Sequence, residues 1–353
     1  MSASHPGRVS VIIPARNEEV NIARVVKSLA QQQGIQEILV VDDQSVDRTG
    51  EILAALKGEI PLLRTLRVQA LPEGWLGKAY AVATGARAAT GDWLLFTDAD
   101  TEHLTGSLAE LVQRAKNECV DLLSVSPGQE TPTWWEKSVI PFVYVKLASL
   151  FRFEDVSDPH SPSAAANGQY MLVRREIYER SGGHEAVKSA ILEDVELARR
   201  IKALGGKLLF LRGAQWVRTR MYHSFGEMWQ GWIKNLYLLY GRNVSKMLGE
   251  VASLWFLDVF PVLAFMAACL WLAVARGGRV ATLAAVCLFL LALARQWNYG
   301  RALARLRFDP ALASFQPIGA ALLGVLLLGS LCAHRARRNI QWKGRCYATK
   351  GKE

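Results

Sequence analysis

The sequence predicts an α/β domain built on a mostly parallel sheet, followed by apolar helices. Three observations predict it. Strand-type apolar runs and helical patterns alternate over residues 9 to about 126, the pattern of a sheet covered by helices on both faces. Acidic residues stand at the carboxyl ends of those strand-type runs, where ligands bind in such sheets. The excess positive charge is confined to the last third of the chain, among long apolar stretches.

Taken in order, Val9-Ser10-Val11-Ile12-Ile13-Pro14 reads as a buried strand. A helical pattern follows from Glu18 to about Gln33, with Ile22, Val25, Val26 and Leu29 at helical spacing. Glu37 to Val41 is a second strand ending at Asp42-Asp43, and Asp47 is placed to cap a helix over Thr49–Lys57. Leu63 to Val68 is a third strand and Gly77 to Ala89 an alanine-rich helix. Trp93 to Thr97 is a strand running into Asp98-Ala99-Asp100, and Leu122 to Val125 is a further strand. After a Ser/Ala/Pro-rich loop, Gly168 to Val173 reads as a strand, Leu192 to Leu204 as a helix and Lys207 to Leu211 as a last strand.

Trp134 to Phe151 interrupts this alternation with a run too polar to span a bilayer comfortably. Its two Trp residues suit headgroup depth, and a core helix is an equal reading. Ser224 to about Leu248 is amphipathic, with Phe225, Trp229, Trp232, Leu236 and Leu239 on one side. Leu254–Ala275, Val280–Ala294 and Ala311–Ala333 are membrane-span candidates, of which the second is short for the ~20 residues that hydrocarbon requires. Asp258 lies near the start of the first, facing either the interface or protein, and Arg295–Arg307 reads as a surface helix. The expected division is therefore residues 1–223 catalytic, with 134–151 a possible interface helix. An amphipathic interface helix over 224–250, a transmembrane region over 251–333 and a basic tail over 334–353 follow.

Charge excludes one class of partner. Residues 1–250 hold 29 Lys+Arg and 29 Asp+Glu, while the remaining 103 residues hold 13 basic residues against Asp258, Asp309 and Glu353. A nucleic-acid binder would carry a basic face on its folded domain. Basic residues flanking apolar spans instead fit membrane lipids and the positive-inside rule. The five cysteines lack C-x-x-C spacing and fit a reduced compartment. No apolar signal segment precedes Val9, so the folded part is expected to face the cytoplasm. That side for both domain and tail requires an even number of crossings, so one of the three candidates is expected to be re-entrant or interfacial.

The strand-end residues carry the chemistry. Asp98 and Asp100, two apart, point the same way if the strand continues. Hard oxygen ligands with open positions suit Mg²⁺ or Mn²⁺ completed by phosphate. Asp42 or Asp43 can accept hydrogen bonds from a base or ribose, and Pro14-Ala15-Arg16-Asn17-Glu18 would wrap a nucleoside. Lys78 sits at a helix start, a place suited to anions. Glu193-Asp194 opens a helix, where acidic residues also serve the helix dipole; one of the pair would take a proton from an attacking hydroxyl.

Val-Ser-Val-Ile-Ile-Pro-Ala-Arg-Asn-Glu-Glu, Leu-Val-Val-Asp-Asp-Gln-Ser-x-Asp-x-Thr, Thr-Asp-Ala-Asp and Glu-Asp-Val-Glu-Leu follow one another in order over residues 9 to about 245. The chain resembles the family-2 glycosyltransferases of the GT-A, Rossmann-like fold. The resemblance implies inverting transfer of a hexose from a nucleotide-sugar, expected to be a UDP-sugar, with a divalent metal. It assigns Asp194 as catalytic base and Asp98 and Asp100 to the metal. Pro14, Ala15, Asn17, Glu18, Asp42, Asp43, Lys78 and Asp98 fall to the nucleotide. Gly-Trp-Leu-Gly-Lys-Ala, Met221-Tyr222 and Trp342-Lys343-Gly344-Arg345-Cys346-Tyr347 resemble a lipid-modifying branch that includes ceramide, carotenoid and hopanoid-associated glycosyltransferases. The implied acceptor is a lipid hydroxyl, with Asn167, Gly168, Glu193, Gln230, Trp232 and Lys234 as weaker acceptor or phosphate residues. The family's Gln-x-x-Arg-Trp motif is replaced by Gln230-Gly231-Trp232-Ile233-Lys234-Asn235, which counts against a processive polysaccharide synthase. A polyprenyl-phosphate or polysaccharide acceptor, and a non-catalytic membrane scaffold, are the alternatives.

Overall fold

In a computed structural model of the chain, residues 8–275 and 278–336 and the backbone at 340–342 and 345–347 are described. The chain divides into two units. The first is formed by residues up to Glu130 together with Phe151–Met221, the second by Thr131–Leu150 and the residues from Tyr222 onward.

The first unit is a twisted sheet with helices on both faces. Its elements begin β1 (Val9–Ala15), α1 (Ile22–Ala30), β2 (Ile35–Asp42), α2 (Thr49–Glu59), β3 (Leu63–Arg67), α3 (Gly77–Ala88) and β4 (Trp93–Phe96). They continue with β5 (Thr101–His103), α4 (Ser107–Asn117), β6 (Leu122–Ser126), β7 (Gly128–Gln129), α6 (Phe153–Ser157), β8 (Met171–Arg174) and α7 (Arg175–Arg180), α5 (Trp134–Leu150) lying in the second unit. Then come α8 (Glu193–Ala203), β9 (Leu208–Arg212) and β10 (Val217–Thr219). The strand order is β3-β2-β1-β4-β8-β6-β9. All neighbours are parallel except β8, which runs against β4 and β6. The expected mostly parallel sheet is therefore present, with one reversed strand. A small sheet, β5-β10-β7, stands beside it.

Apolar alternation fixes this register. On β1, Val11 and Ile13 face one core, with Ile22, Val25, Val26 and Leu29 of α1. Ile12 faces the other, with Val82 and Ala86 of α3. Gly85 lets α3 sit directly on the sheet, because a Cβ there would fall 2.5 Å from Ile12 Cγ2. The reversal of β8 matters for the site. Met171 pairs with Phe96, so the residues before Met171 emerge at the same edge as the carboxyl ends of β1, β2 and β4.

Several boundaries differ from the sequence pattern. The first helix begins at Ile22 rather than Glu18, because the preceding backbone bonds to the loop after β2. Glu18 N–H donates to Thr49 Oγ1, Glu19 N–H to Asp47 Oδ2 and Val46 N–H to Asn17 Oδ1. Such side chain–backbone bonds compete with helix. Asp47 also accepts from Thr49 N–H, capping α2 as its sequence position predicts. Gly168 to Tyr170 form a turn closed by Tyr170 N–H on Asn167 O, so the strand starts only at Met171.

The second unit is helical. It contains α5, α9 (Phe225–Leu239), α10 (Val244–Leu254), a π-helical turn at Trp255–Val259, α11 (Phe260–Ala275), α12 (Arg279–Arg305) and α13 (Gln316–Arg335). The predicted single amphipathic helix over 224–250 is two helices. Gly241 and Arg242 adopt positive φ, and the Asn243 side chain caps α10 by accepting from Lys246 N–H. The predicted surface helix at Arg295–Arg307 is the continuation of α12 to Arg305. Among the described residues three helices are long and apolar enough to cross a membrane: Val244–Val274, Arg279–Arg305 and Pro310–Arg335. In the last of these, α13, Gly319 would place a Cβ 2.2 Å from Ser138 O of α5, so the two backbones almost touch. Asp258 faces protein: Arg295 Nη2 and Gln316 Nε2 donate to its Oδ1 at 2.7 and 2.8 Å. In the tail, Lys343 and Gly344 of the Trp-Lys-Gly-Arg-Cys-Tyr stretch lie outside the described residues.

Candidate active site

The site is a cleft at the carboxyl edge of the large sheet. Pro14 comes from the end of β1, Thr97 and Asp98 follow β4, Lys78 and Val82 lie on α3 and Gly168 precedes β8. Glu193 and Asp194 open α8, and His184 lies on a 3₁₀ turn at Gly183–Val187. Thr97 locks the chain as it leaves β4. Its N–H donates to Ile12 O and its hydroxyl to Gln169 O at 2.8 Å, tying the β4 exit to the turn before β8.

Lys78 is the electrostatic centre. Its Nζ lies 2.9 Å from Asp98 Oδ1 and 3.0 Å from Glu193 Oε1. Burial opposes its charge, but Asp98, Glu193 and Asp194 outweigh that and hold its pKa well above the ordinary lysine value. Asp194 is fixed through both oxygens: Gly168 N–H donates to Oδ2 and Val195 N–H to Oδ1, each at 2.8 Å. Burial first, and the neighbouring Glu193 charge second, push its pKa up to about 6, against the pull of Lys78 and the two backbone bonds. A carboxyl with such a pKa is matched to proton abstraction near neutrality. Gly168 leaves room for both side chains, since a Cβ would lie 3.0 Å from Lys78 Nζ and 3.3 Å from Asp194 Oδ2.

A second group gathers beside it at the ends of β1 and β2. Asp43 N–H donates to Ala15 O, Ser45 N–H to Asp42 Oδ1 and Asn17 N–H to Ser45 Oγ. The Glu18 carboxylate accepts from Asn21 Nδ2, and Asp42 and Asp43 are both buried. Ala15, Asn17, Asp42 and Asp43 are thus tied together at the strand ends, and Pro14 of the same segment lines the cleft.

The geometry behind the metal pair differs from the sequence argument. Strand β4 ends at Phe96, and Asp98-Ala99-Asp100 form a turn in which Thr101 Oγ1 donates to Asp98 O at 2.8 Å. Strand alternation therefore does not align the two side chains. Asp98 lines the cleft, whereas the main-chain oxygen of Asp100 accepts from Arg24 Nη2 and Thr219 Oγ1. Among the described residues no group of three or more His, Cys, Asp or Glu side chains is arranged to hold a metal. The donor set still fits one. Asp98, Glu193 and Asp194 face a single ammonium, leaving a net negative cleft of hard oxygens, and Mg²⁺-type ions bind through one or two carboxylates plus phosphate oxygens.

Asn167 folds onto its own turn, its Oδ1 accepting from Gln169 N–H. Gln230, Trp232 and Lys234 lie on α9 in the second unit. There Gln230 is exposed, Trp232 is buried against Tyr222, and the Lys234 carbonyl lies 3.1 Å from His334 Nε2. Sequence reasoning missed His184. The signal was the glycine pair before it: Gly182 and Gly183 have φ of 78° and 52°, a turn that glycine accommodates at little cost.

A mostly parallel α/β sheet with a carboxylate-rich cleft at its carboxyl edge is the architecture of a GT-A-like fold. The family model described as Glycosyl transferase family 2 matches residues 10–182. The 4,4'-diaponeurosporenoate glycosyltransferase of Staphylococcus haemolyticus (strain JCSC1435) is 30% identical over 231 residues, 65% of this chain and 60% of that protein. The protein of the same name from Staphylococcus aureus (strain USA300) is 27% identical over 250 residues, 70% and 65% of the respective chains. The match thus spans less than two thirds of either relative. Among solved structures, the mannosyltransferase PcManGT from Pyrobaculum calidifontis, in complex with GDP-Man and Mn²⁺, superposes with a TM-score of 0.50 at 19% identity. The superposition covers 94% of this chain and 88% of that one, a likeness of fold.

Proposed function

We propose that the protein is an inverting, metal-dependent glycosyltransferase that moves a hexose from a UDP-sugar to the hydroxyl of a membrane lipid. The observation that carries this reading is Asp194: a carboxyl with a raised pKa, locked through both oxygens, in the same cleft as Lys78 and Asp98.

The acceptor hydroxyl gives its proton to Asp194 as its oxygen forms the new bond to the anomeric carbon. The bond from that carbon to the diphosphate breaks, and the nucleoside diphosphate leaves from the opposite face, so configuration inverts. Asp98, which lines the cleft, would hold a divalent ion, which when bound supplies positive charge to the departing diphosphate. Lys78 adds its own ammonium beside Asp98 and keeps Asp194 from climbing further. Asp42, Asp43 and the Pro14–Glu18 segment grip the nucleoside. Among the described residues three helices are able to cross a membrane, which supports a membrane protein with a lipid acceptor.

The relatives' names favour a carotenoid-like acceptor and raise a second reading, since "-oate" names a carboxylate. A carboxylate nucleophile brings no proton, and Asp194 would then have no base role. Incubation with labelled UDP-sugars and total membrane lipid, with Mn²⁺ or EDTA, separates the cases. A metal-dependent, alkali-stable glycolipid of inverted anomeric configuration supports the hydroxyl reading. An alkali-labile product assigns a carboxylate, and an acid-labile one a polyprenyl phosphate. Failure of UDP to bind, by calorimetry with Mn²⁺ present, would falsify the nucleotide-sugar reading itself.

A further inference from the structure

His184 lines the cleft beside Lys78, Asp98 and Asp194 and takes no part in the transfer derived above. The Tyr178 hydroxyl lies 3.2 Å from the His184 backbone nitrogen and 3.0 Å from Nδ1. The backbone N–H can only donate, so the hydroxyl accepts there, which leaves its own proton available to Nδ1. A neutral imidazole whose Nδ1 accepts carries its proton on Nε2. Burial, with Lys78 as a smaller contributor, lowers the His184 pKa to about 3, which keeps the ring neutral. Nε2 is then a donor that no protein group among the described residues engages.

The surroundings are built for this arrangement. At Gly183, φ is +52° and a Cβ would fall 2.7 Å from the Tyr178 ring, so only glycine lets the tyrosine reach the histidine. Phe96 packs against both rings, with centroids at 5.2 Å from Tyr178 and 4.9 Å from His184. Two aromatic rings and a glycine turn hold the His184 ring in place.

We infer that His184 Nε2–H donates a hydrogen bond to a hydroxyl of the donor hexose, and that Tyr178 is the positioning residue that sets its tautomer. The inference rests on the nucleotide-sugar reading of the cleft. A phosphate oxygen would go to the ammonium or a metal. The wall around His184 is apolar, formed by Val82, Phe96 and Met171, while the carboxylates beside it can only accept. A ligand oxygen that both gives a proton to a carboxylate and takes one from a neutral N–H is a hydroxyl. A site built around such a bond rejects the analogue that lacks the hydroxyl.

The test uses the full chain in nanodiscs with Mn²⁺, titrated with UDP and with UDP-glucose by calorimetry. His184→Phe should lose about tenfold or more in UDP-glucose affinity and leave UDP affinity unchanged. One of the 2-, 3-, 4- or 6-deoxy analogues of UDP-glucose should show the same loss with the wild-type protein, a readout independent of how the variant folds. ¹⁵N-histidine NMR of the free protein should show the Nε2–H tautomer, turning to a mixture in Tyr178→Phe. An Nδ1–H tautomer, or a His184→Phe protein that keeps the full sugar contribution while binding UDP normally, overturns the inference. Absence of UDP binding to the wild type overturns the nucleotide-sugar reading and the inference with it.

Discussion

The backbone N–H of Gly168 meets Oδ2 of Asp194 at 2.8 Å, twenty-six residues away in sequence. This bond joins the turn before β8 to the start of α8 and sets the direction of the proposed base. It also separates two jobs of the carboxyl, because an amide in its place can still accept from Gly168, giving up the acceptor for Val195 N–H, but cannot take a proton. Asp194→Asn should therefore lower kcat by about 10²- to 10⁴-fold with UDP affinity unchanged. Thermal stability gives the second reading. A raised pKa means that the fold favours the protonated carboxyl, so that stabilisation is complete below the ordinary carboxylate range and lost as pH rises through about 6. At pH 7 the variant should melt no lower than the wild type, which calorimetry checks.

The same shift sets a pH–rate profile. Glycosyl transfer should fall as pH drops through about 6, where Asp194 takes up its proton. In Lys78→Met the ammonium that lowers the Asp194 pKa is gone, and the acidic limb should move to higher pH. Three carboxylates would then share the cleft without a counter-ion from the protein. That variant should melt lower than wild type at neutral pH, and millimolar Mn²⁺ should recover part of the loss. Melting curves with and without Mn²⁺ decide it, and no difference in the metal response would count against Asp98 as a metal ligand.

The strand ends were readable in the sequence because apolar runs stop at them. Pro14, Asp42, Asp43 and Asp98 end or follow strand-type segments, and Glu193-Asp194 opens a helix with its own periodicity. Their convergence needed no knowledge of side-chain geometry beyond the rule for parallel sheets. What stayed hidden depends on contacts that no local pattern encodes. The Tyr178–His184 pair forms across a glycine turn whose φ values are invisible in composition. The reversal of β8, which brings Gly168 to the site edge, is set by pairing with β4 and β6. The Asp-x-Asp spacing pointed to the right cleft for a reason the turn geometry does not support.

Gly168→Ala tests how closely the cleft is built. The residue lacks a positive φ, so the backbone tolerates alanine, and the new methyl would lie 3.0 Å from Lys78 Nζ. A flexible ammonium can give way, so stability should change by less than about 1 kcal/mol. The displaced Lys78 and crowded Asp194 should lower kcat at least tenfold, an order set by the cost of small misplacements of catalytic groups. Full activity in the alanine variant would show that Lys78 need not hold its present place.

Asp258, Arg295 and Gln316 test the second unit. Asp258 is 3% exposed, and both Arg295 and Gln316 donate to its Oδ1, joining the π-helical turn, α12 and α13. Charged groups within spans face protein and pair with one another, because hydrocarbon offers no alternative partner. Asp258→Ala leaves the guanidinium without its partner, and Arg295 keeps about a third of its side chain exposed, which softens the penalty. A loss of about 3 kcal/mol is expected, the low end for breaking a buried pair. Replacing both members, as in Asp258→Leu with Arg295→Met, should recover most of it, since two apolar side chains need no desolvation. Denaturant unfolding in detergent micelles measures each variant, and additive losses in the double variant would show that the two side chains stabilise the helices independently rather than as a pair.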